Sequence, residues 1–431
     1  MNKRRNVLWL VAMILLCLLL FAACAKTPDI NTYSDEDLGV MGKLVRWMHG
    51  WVGNYGWTVV VFTVFLKILM LPLDFWQRYA SRKSTLKMQQ MQPIIEGIDK
   101  RYGANTQRAN EEKQKLYKKQ GFSMMSSCLP MIVSMVIFFI MFAGLRNYST
   151  FSSIRNFQAL SNKYYEVYSE QIVSQDSELS TAYQTRYDEV LASSTSKDDT
   201  VVLEGRMEGI IEAKKIANEA LKNGDDSYSK ALASAESKAI EAVKKYYDDN
   251  HESWLWIQNV WQPDTWASIM QPYKGKAFAG GGFSTSVNLE KFPGDAENTY
   301  EIIRKAVLET GNRGEKGNWN GLMILPFMSI GLSFLSMFIT QRMERKNRKG
   351  EVVQQNAQQA TTNKMMMIIM PLMMAWFGFI YTGAFAIYMV TNYAISILTT
   401  IAMRYPVEKI VTRNMNKAEK NNKSNKASYM R

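Results

Sequence analysis

The chain of 431 residues carries a formal net charge of +13, three cysteines and two histidines. Cys17, Cys24 and Cys128 each sit in or beside an apolar run, and only His49 and His251 could join them, which disfavours a disulfide framework, a zinc site or histidine acid–base chemistry. The charge alone fits a nucleic acid or an acidic membrane face, and its placement along the chain has to decide between them.

The first element reads as an address. Lys3, Arg4 and Arg5 precede an apolar core from Val7 to Leu20, and Phe21-Ala22-Ala23-Cys24 supplies small residues at a cleavage site. Ala-Ala-Cys resembles the lipobox of bacterial lipoproteins, which implies a signal over 1–23 and a mature chain starting at a lipidated Cys24; the alternative is an uncleaved first span with a chance cysteine. Residues 24–56 then form an extracellular segment. Within it Val40, Met41, Leu44, Val45, Met48, Trp51 and Val52 recur at helical spacing and predict an interfacial helix.

Five long apolar runs follow: Trp57 to Leu73, Met124 to Leu145, Gly321 to Thr340, Met365 to Tyr381 and Ala384 to Met403. Each is near the roughly 20 residues a helix needs to cross about 30 Å of hydrocarbon. The absence of water there predicts that every crossing is helical. The fold class is therefore an all-α membrane protein of five transmembrane helices, with the last two joined tightly at Thr382-Gly383. The first two spans occupy 57–145, with a cytoplasmic helical hairpin at 74–122. In it Pro93 interrupts the first arm, Gly103-Ala104-Asn105 turns and Gly121 ends the second arm. A long extracellular loop with insertions spans 146–320, and the insertion reads as Ala/Glu/Lys-rich helix without a catalytic pattern. The last three spans fill 321–405 around a cytoplasmic loop at 341–364, and 406–431 is a basic cytoplasmic tail whose Lys/Asn-rich end is expected to be disordered.

An outside start and five crossings put Arg78 to Lys119, Arg342 to Lys349 and the tail after Arg404 inside, and these are the Lys/Arg-dense stretches. The positive-inside rule is thus met at all three, and the charge is assigned to the membrane, with no DNA partner. Trp47, Trp51, Trp57, Trp254, Trp256, Trp261 and Trp266 suit an outer interfacial belt. The hairpin's basic surface meets anionic lipid, ribosome or nascent chain, or is simply a solvated positive-inside loop. Met365, Met366, Met367, Met370, Met373 and Met374 crowd the fourth span as apolar filler or as adaptable contacts.

Several motifs, in order, carry a family resemblance. They are Gly53-Asn54-Tyr55-Gly56-Trp57 with Thr63, Lys67 and Leu71-Pro72-Leu73; Lys87-Met88-Gln89-Gln90-Met91-Gln92-Pro93 with Lys115-Leu116-Tyr117-Lys118; and Gly121 with Cys128-Leu129-Pro130. Trp254-Leu255-Trp256-Ile257, Gln262-Pro263-Asp264, Met370-Pro371-Leu372, Gly383, Tyr388 and Asn392 complete the set. Together they resemble the YidC/Oxa/Alb membrane protein insertases, lipoprotein type, over 40–145, about 253–270 and 320–405. Two features depart from that pattern: Lys67 stands where the family typically has arginine, and Ser149 to Asn250 and Gly275 to Asn318 look like insertions.

Lys67 is the one basic residue inside an expected span. On an insertion scale it costs roughly 2.5–3.5 kcal/mol at mid-bilayer, while each aliphatic neighbour returns about 0.3–0.6 kcal/mol, so the helix still inserts. It lies about 10 Å above Asp74. Snorkelling to the inner interface, or pairing with a carboxylate, is one account of it. The other joins it to Thr63 and to two polar stripes: Ser329, Ser333, Ser336 and Thr340 on one helical face, and Tyr388, Asn392, Ser396 and Thr399 on another. Small hydroxyls also serve ordinary helix packing in membranes. Read together, these residues form a hydrated, positively charged substrate groove. The resemblance implies an insertase and chaperone for nascent membrane proteins, needing no cofactor, with the ribosome, membrane lipid and the Sec translocon as further partners. A secondary transporter is the alternative, although no inverted repeat or intramembrane carboxylate supports it. No Walker motif, HExxH or nucleophile–base set marks an enzyme.

Overall fold

The computed structural model describes residues 28–102, 105–119, 124–175, 177–194, 198–275, 282–309, 319–346 and 376–428. Cys24, the methionines at 365–374 and the turn at 103–104 lie outside them. Among the described residues the chain is helical with isolated β-bridges and no strand, which bears out the all-α expectation. The helices are α1 (Gly39–Val52), α2 (Tyr55–Tyr102), α3 (Thr106–Lys119), α4 (Met124–Val173), α5 (Glu178–Ser193), α6 (Asp199–Lys222), α7 (Ser227–Asn250), α8 (Phe283–Ser286), α9 (Ala296–Leu308), α10 (Ile324–Lys346) and α11 (Gly383–Ser428). Residues 376–380 are also helical.

Helices run past the ends of the apolar segments. The 48 residues of α2 are about 72 Å long, more than twice a hydrocarbon core, and include both Pro72 and Pro93. Pro93 therefore does not interrupt the hairpin's first arm, contrary to the expectation from its missing N–H. Tertiary packing compensates for the lost bond, which alone costs about 3 kcal/mol. Met91 and Ile95 are buried on either side of it, and Asp99 pairs with Lys113 of α3 at 2.5 Å. Likewise α4 continues to Val173, so the expected boundary at 145/146 falls inside a helix. The expectation of a disordered end is revised for 414–428, because α11 remains helical to Ser428. After Pro406 it contains no proline or glycine, and Lys, Ala, Glu and Met all favour helix.

The described residues divide into two compact units. One holds the residues up to Val59, Phe142–Phe327 and Trp376–Ile387; the other holds Val60–Met141 and the described parts of Met328–Ala375 and Tyr388–Arg431.

In the first unit a stripe along α4 (Ile154, Phe157, Leu160, Tyr164, Tyr168, Ile172) meets Leu203, Met207, Ile210, Ala213 and Ala217 of α6 and Leu232, Ala235, Ala239, Val243 and Tyr247 of α7. Each set recurs at three or four residues, one face per helix. These helices thus form a helical domain around one hydrophobic core, which residues 283–307 also join. Pro28–Ile30 joins it through backbone hydrogen bonds with Asn288. α5 and α6 cross closely at Gly209, where an added Cβ would lie 2.6 Å from the Tyr183 ring and 2.9 Å from the Tyr183 carbonyl oxygen. In α1, Val45 and Met48 are buried while Val40, Trp47 and Trp51 are exposed, so the predicted helix is two-faced. Trp57 and Trp266 are exposed as a belt requires, but Trp261 is not: it is buried and stacks on Tyr55 at 4.1 Å between ring centroids.

Gly209→Leu forces bulk into that crossing and costs about 1–3 kcal/mol. Limited proteolysis of the full-length protein in membranes should then cleave within 178–250 at protease levels that leave the wild type intact; equal protection contradicts the packing described.

Candidate functional site

The site is built in the second unit from α2, α10 and α11. Two of the described helices, over Tyr55–Met88 and Gly383–Asn414, are long and apolar enough to cross a membrane, and Ile324–Thr340 is a shorter apolar helix. Lys67 of α2 is half-buried, and its Nζ donates a hydrogen bond to Ser396 Oγ of α11 at 2.9 Å. Among the described residues no carboxylate lies within ion-pair distance of it. Asp74 and Arg78, two and three turns along the same helix, act on it at longer range with opposing charges. The cation therefore meets a neutral hydroxyl as its near partner, as the helical spacing of the sequence suggests.

The other predicted residues divide by position. Thr63, one turn before Lys67, is buried; so are Ser329 and Ser333 of α10 and Tyr388 of α11. Asn392, Ser396 and Thr399 are half-buried along α11. Thr399 donates to the Ser396 carbonyl at 3.1 Å, which turns its hydroxyl onto its own helix. Ser336 is half-buried, whereas Thr340 is exposed and donates to the Ser336 carbonyl at 2.9 Å. The structure thus brings Lys67 to Ser396 directly and buries the upper part of the α10 stripe; Thr340 stands apart from that arrangement. Cys24 lies outside the described residues.

Three participants escaped the sequence reading. Tyr393 of α11 lies beside Ser333 of α10, next to both polar stripes, yet an aromatic in an apolar run carries no distinguishing pattern. Glu408 accepts both Nε and Nη2 of Arg82 at 2.6 and 2.8 Å, so Arg82 is engaged between α2 and α11 rather than free on the hairpin. Asn414 donates to the Tyr79 hydroxyl at 3.1 Å, a further bond between the same two helices. A bidentate guanidinium–carboxylate pair fixes direction as well as distance, so α2 and α11 are registered at Lys67–Ser396 and again at Arg82–Glu408.

Among the described residues, long apolar helices with a hydrogen-bonded lysine and hydroxyl-bearing faces are compatible with an all-α membrane protein. The model of the 60Kd inner membrane protein family matches residues 47–195 and 238–410, more than half of the chain, and the protein belongs to that family. It is similar to the membrane protein insertase YidC of Caldanaerobacter subterraneus, 40% identical over 113 residues, which cover 26% of this chain and 53% of that protein. It is also similar to those of Campylobacter jejuni (35% over 107 residues, 25% of this chain and 20% of that protein) and Bordetella pertussis (32% over 122 residues, 27% and 21%). The chain thus spans about half the length of the first of these relatives and about a fifth of the other two. No solved structure matches the chain.

If Arg82–Glu408 registers the helices, Arg82→Glu and Glu408→Arg should each lower the disulfide yield between cysteines placed at Lys67 and Ser396, and the double exchange should restore most of it. Equal yields in all four backgrounds contradict that role.

Proposed function

We propose that the protein helps newly made membrane proteins insert and fold, through a hydrated intramembrane groove whose cation is Lys67. The Lys67–Ser396 hydrogen bond carries this reading. A span lysine whose near partner is a neutral hydroxyl keeps its charge available to an incoming chain, and it draws water into an otherwise apolar helix set. Membership of the family and the name shared by the matched relatives support the same activity.

In this account the polar or acidic flank of a client rests against Lys67, Ser396 and the buried hydroxyls while its apolar segment moves into lipid. A dry bilayer opposes polar backbone and side chains, and a partly hydrated recess shortens that barrier. No nucleotide hydrolysis and no cofactor enters the scheme, and the chain acts as an insertase and chaperone rather than an enzyme. The N-terminus is extracellular and anchored by lipid at Cys24, five helices cross the cell membrane, and the C-terminus is cytoplasmic. Nascent membrane proteins are the clients, and the ribosome and the Sec translocon are partners on the cytoplasmic side and in the membrane.

Lysine keeps the charge of arginine but lacks its planar fork. Lys67→Glu should therefore reduce integration of small membrane proteins by at least about tenfold, and Lys67→Arg should hold it within about twofold. Both are read as membrane integration after depletion of the native protein. Equal activity of the two variants refutes the electrostatic role, and impaired solute uptake with normal integration favours a transporter.

A further inference from the structure

The segment before α10 contains an ordered polar centre to which the proposed activity assigns no role. Asp264 is fully buried. Its Oδ1 accepts the backbone N–H groups of Leu322 and Met323 at 2.9 and 3.2 Å; its Oδ2 accepts that of Leu325 at 2.8 Å and the Trp256 indole N–H at 3.3 Å. One carboxylate thus takes three backbone donors around the start of α10, where a helix leaves its first N–H groups without internal acceptors. Asn320, also fully buried, donates to the carbonyls of Asn259, Gln262 and Pro263 and accepts from the Asn259 N–H. The same short stretch serves the last helix: Gly383 N–H donates to the Gln262 carbonyl at 2.7 Å and Ala384 N–H to the Val260 carbonyl at 3.2 Å.

The geometry leaves little slack. A Cβ on Gly321 would lie 1.9 Å from Asp264 Oδ1 and 2.9 Å from its Cα, so the carboxylate reaches its donors only because residue 321 has no side chain. Met323 sits at φ 61°, a left-handed conformation that a non-glycine residue holds only when its surroundings fix it, and its own N–H is one of the three on Asp264. Each feature constrains the same quantity, the residue and direction from which α10 departs. Since successive helical residues differ by about 100°, a start displaced by one residue would turn the face carrying Ser329, Ser333 and Ser336 away from its present orientation.

We propose that Asp264 is a positioning residue for the groove: with Gly321 it fixes the start and rotation of α10 and hence the orientation of its serine face. This rests on the functional reading only for its consequence. The positioning is a property of the fold that is measured separately.

The test uses the full chain in membranes and the Ser333–Tyr393 contact. Paired cysteines at 333 and 393 report the native rotation, and paired cysteines at 334 and 393 report a turned helix. Asp264→Ala and Gly321→Ala should each lower the 333–393 disulfide yield relative to 334–393 by at least about threefold, in line with the loss of a helix cap. Asp264→Asn, which keeps one acceptor oxygen, should fall between them and the wild type. The double variant should be no worse than either single change, because both remove the same contact. A general loosening would lower both pairs and leave their ratio alone. Unchanged ratios in Gly321→Ala and Asp264→Asn, present at normal membrane levels, overturn the proposal even if Asp264→Ala fails to accumulate. Shifted ratios with undiminished client integration uphold the positioning role and count against the groove instead.

Discussion

An ammonium group cannot rest bare in hydrocarbon, and the arrangement around Lys67 follows from that constraint. The cost of a few kcal/mol is offset by the aliphatic residues of α2, so the helix tolerates the charge, but the charge still requires a partner. A carboxylate at ion-pair distance would neutralise it and leave an inert strut. Ser396 instead offers one lone pair at 2.9 Å, enough to orient the ammonium without cancelling it. Among the described residues no carboxylate lies within ion-pair distance of it, so its charge is not cancelled there. Asp74 and Arg78, further down the helix, pull in opposite directions, so neither sets the local field alone.

Held in this way, the lysine depends on two helices keeping their register over a long distance. α2 and α11 contact each other at Lys67–Ser396, at Arg82–Glu408 and at Tyr79–Asn414. Tyr393 and Ser333 bring α10 into the same set. The long helices resolve an apparent conflict with their prolines. Pro72 and Pro93 both lie inside α2, and at Pro93 the buried Met91 and Ile95 on either side accompany the unbroken helix.

What the sequence made readable was whatever has a period or a sign. Apolar runs announced helices, the face at 329, 333 and 336 emerged from spacing, and Lys67 stood out because charge is scarce in such runs. Contacts distant along the chain were not readable. In the sequence Arg82 is one of several basic residues after the first apolar run, and its partner Glu408 stands 326 residues away. Trp261 looked like its neighbours in an interfacial belt, but its ring lies buried against Tyr55, and nothing in its own surroundings in the chain separates it from Trp266. Helix ends lie beyond the apolar runs that mark the helices in the sequence. Polar residues continue α2, α4 and α11 because no breaker follows, and packing overrides the one at Pro93. The helical domain carried by α4–α9 was legible as helix, while its tyrosine-rich core required the folded chain.

The most direct measurement places a photo-crosslinking amino acid at Ser396, and separately at Asn392, and captures a ribosome-bound membrane protein partway through integration. The account predicts adducts with the polar flank of the client at both positions, and none from Phe338, which lies exposed on α10. Adducts confined to lipid or to this protein's own helices at Ser396 and Asn392, while the client integrates normally, would contradict it.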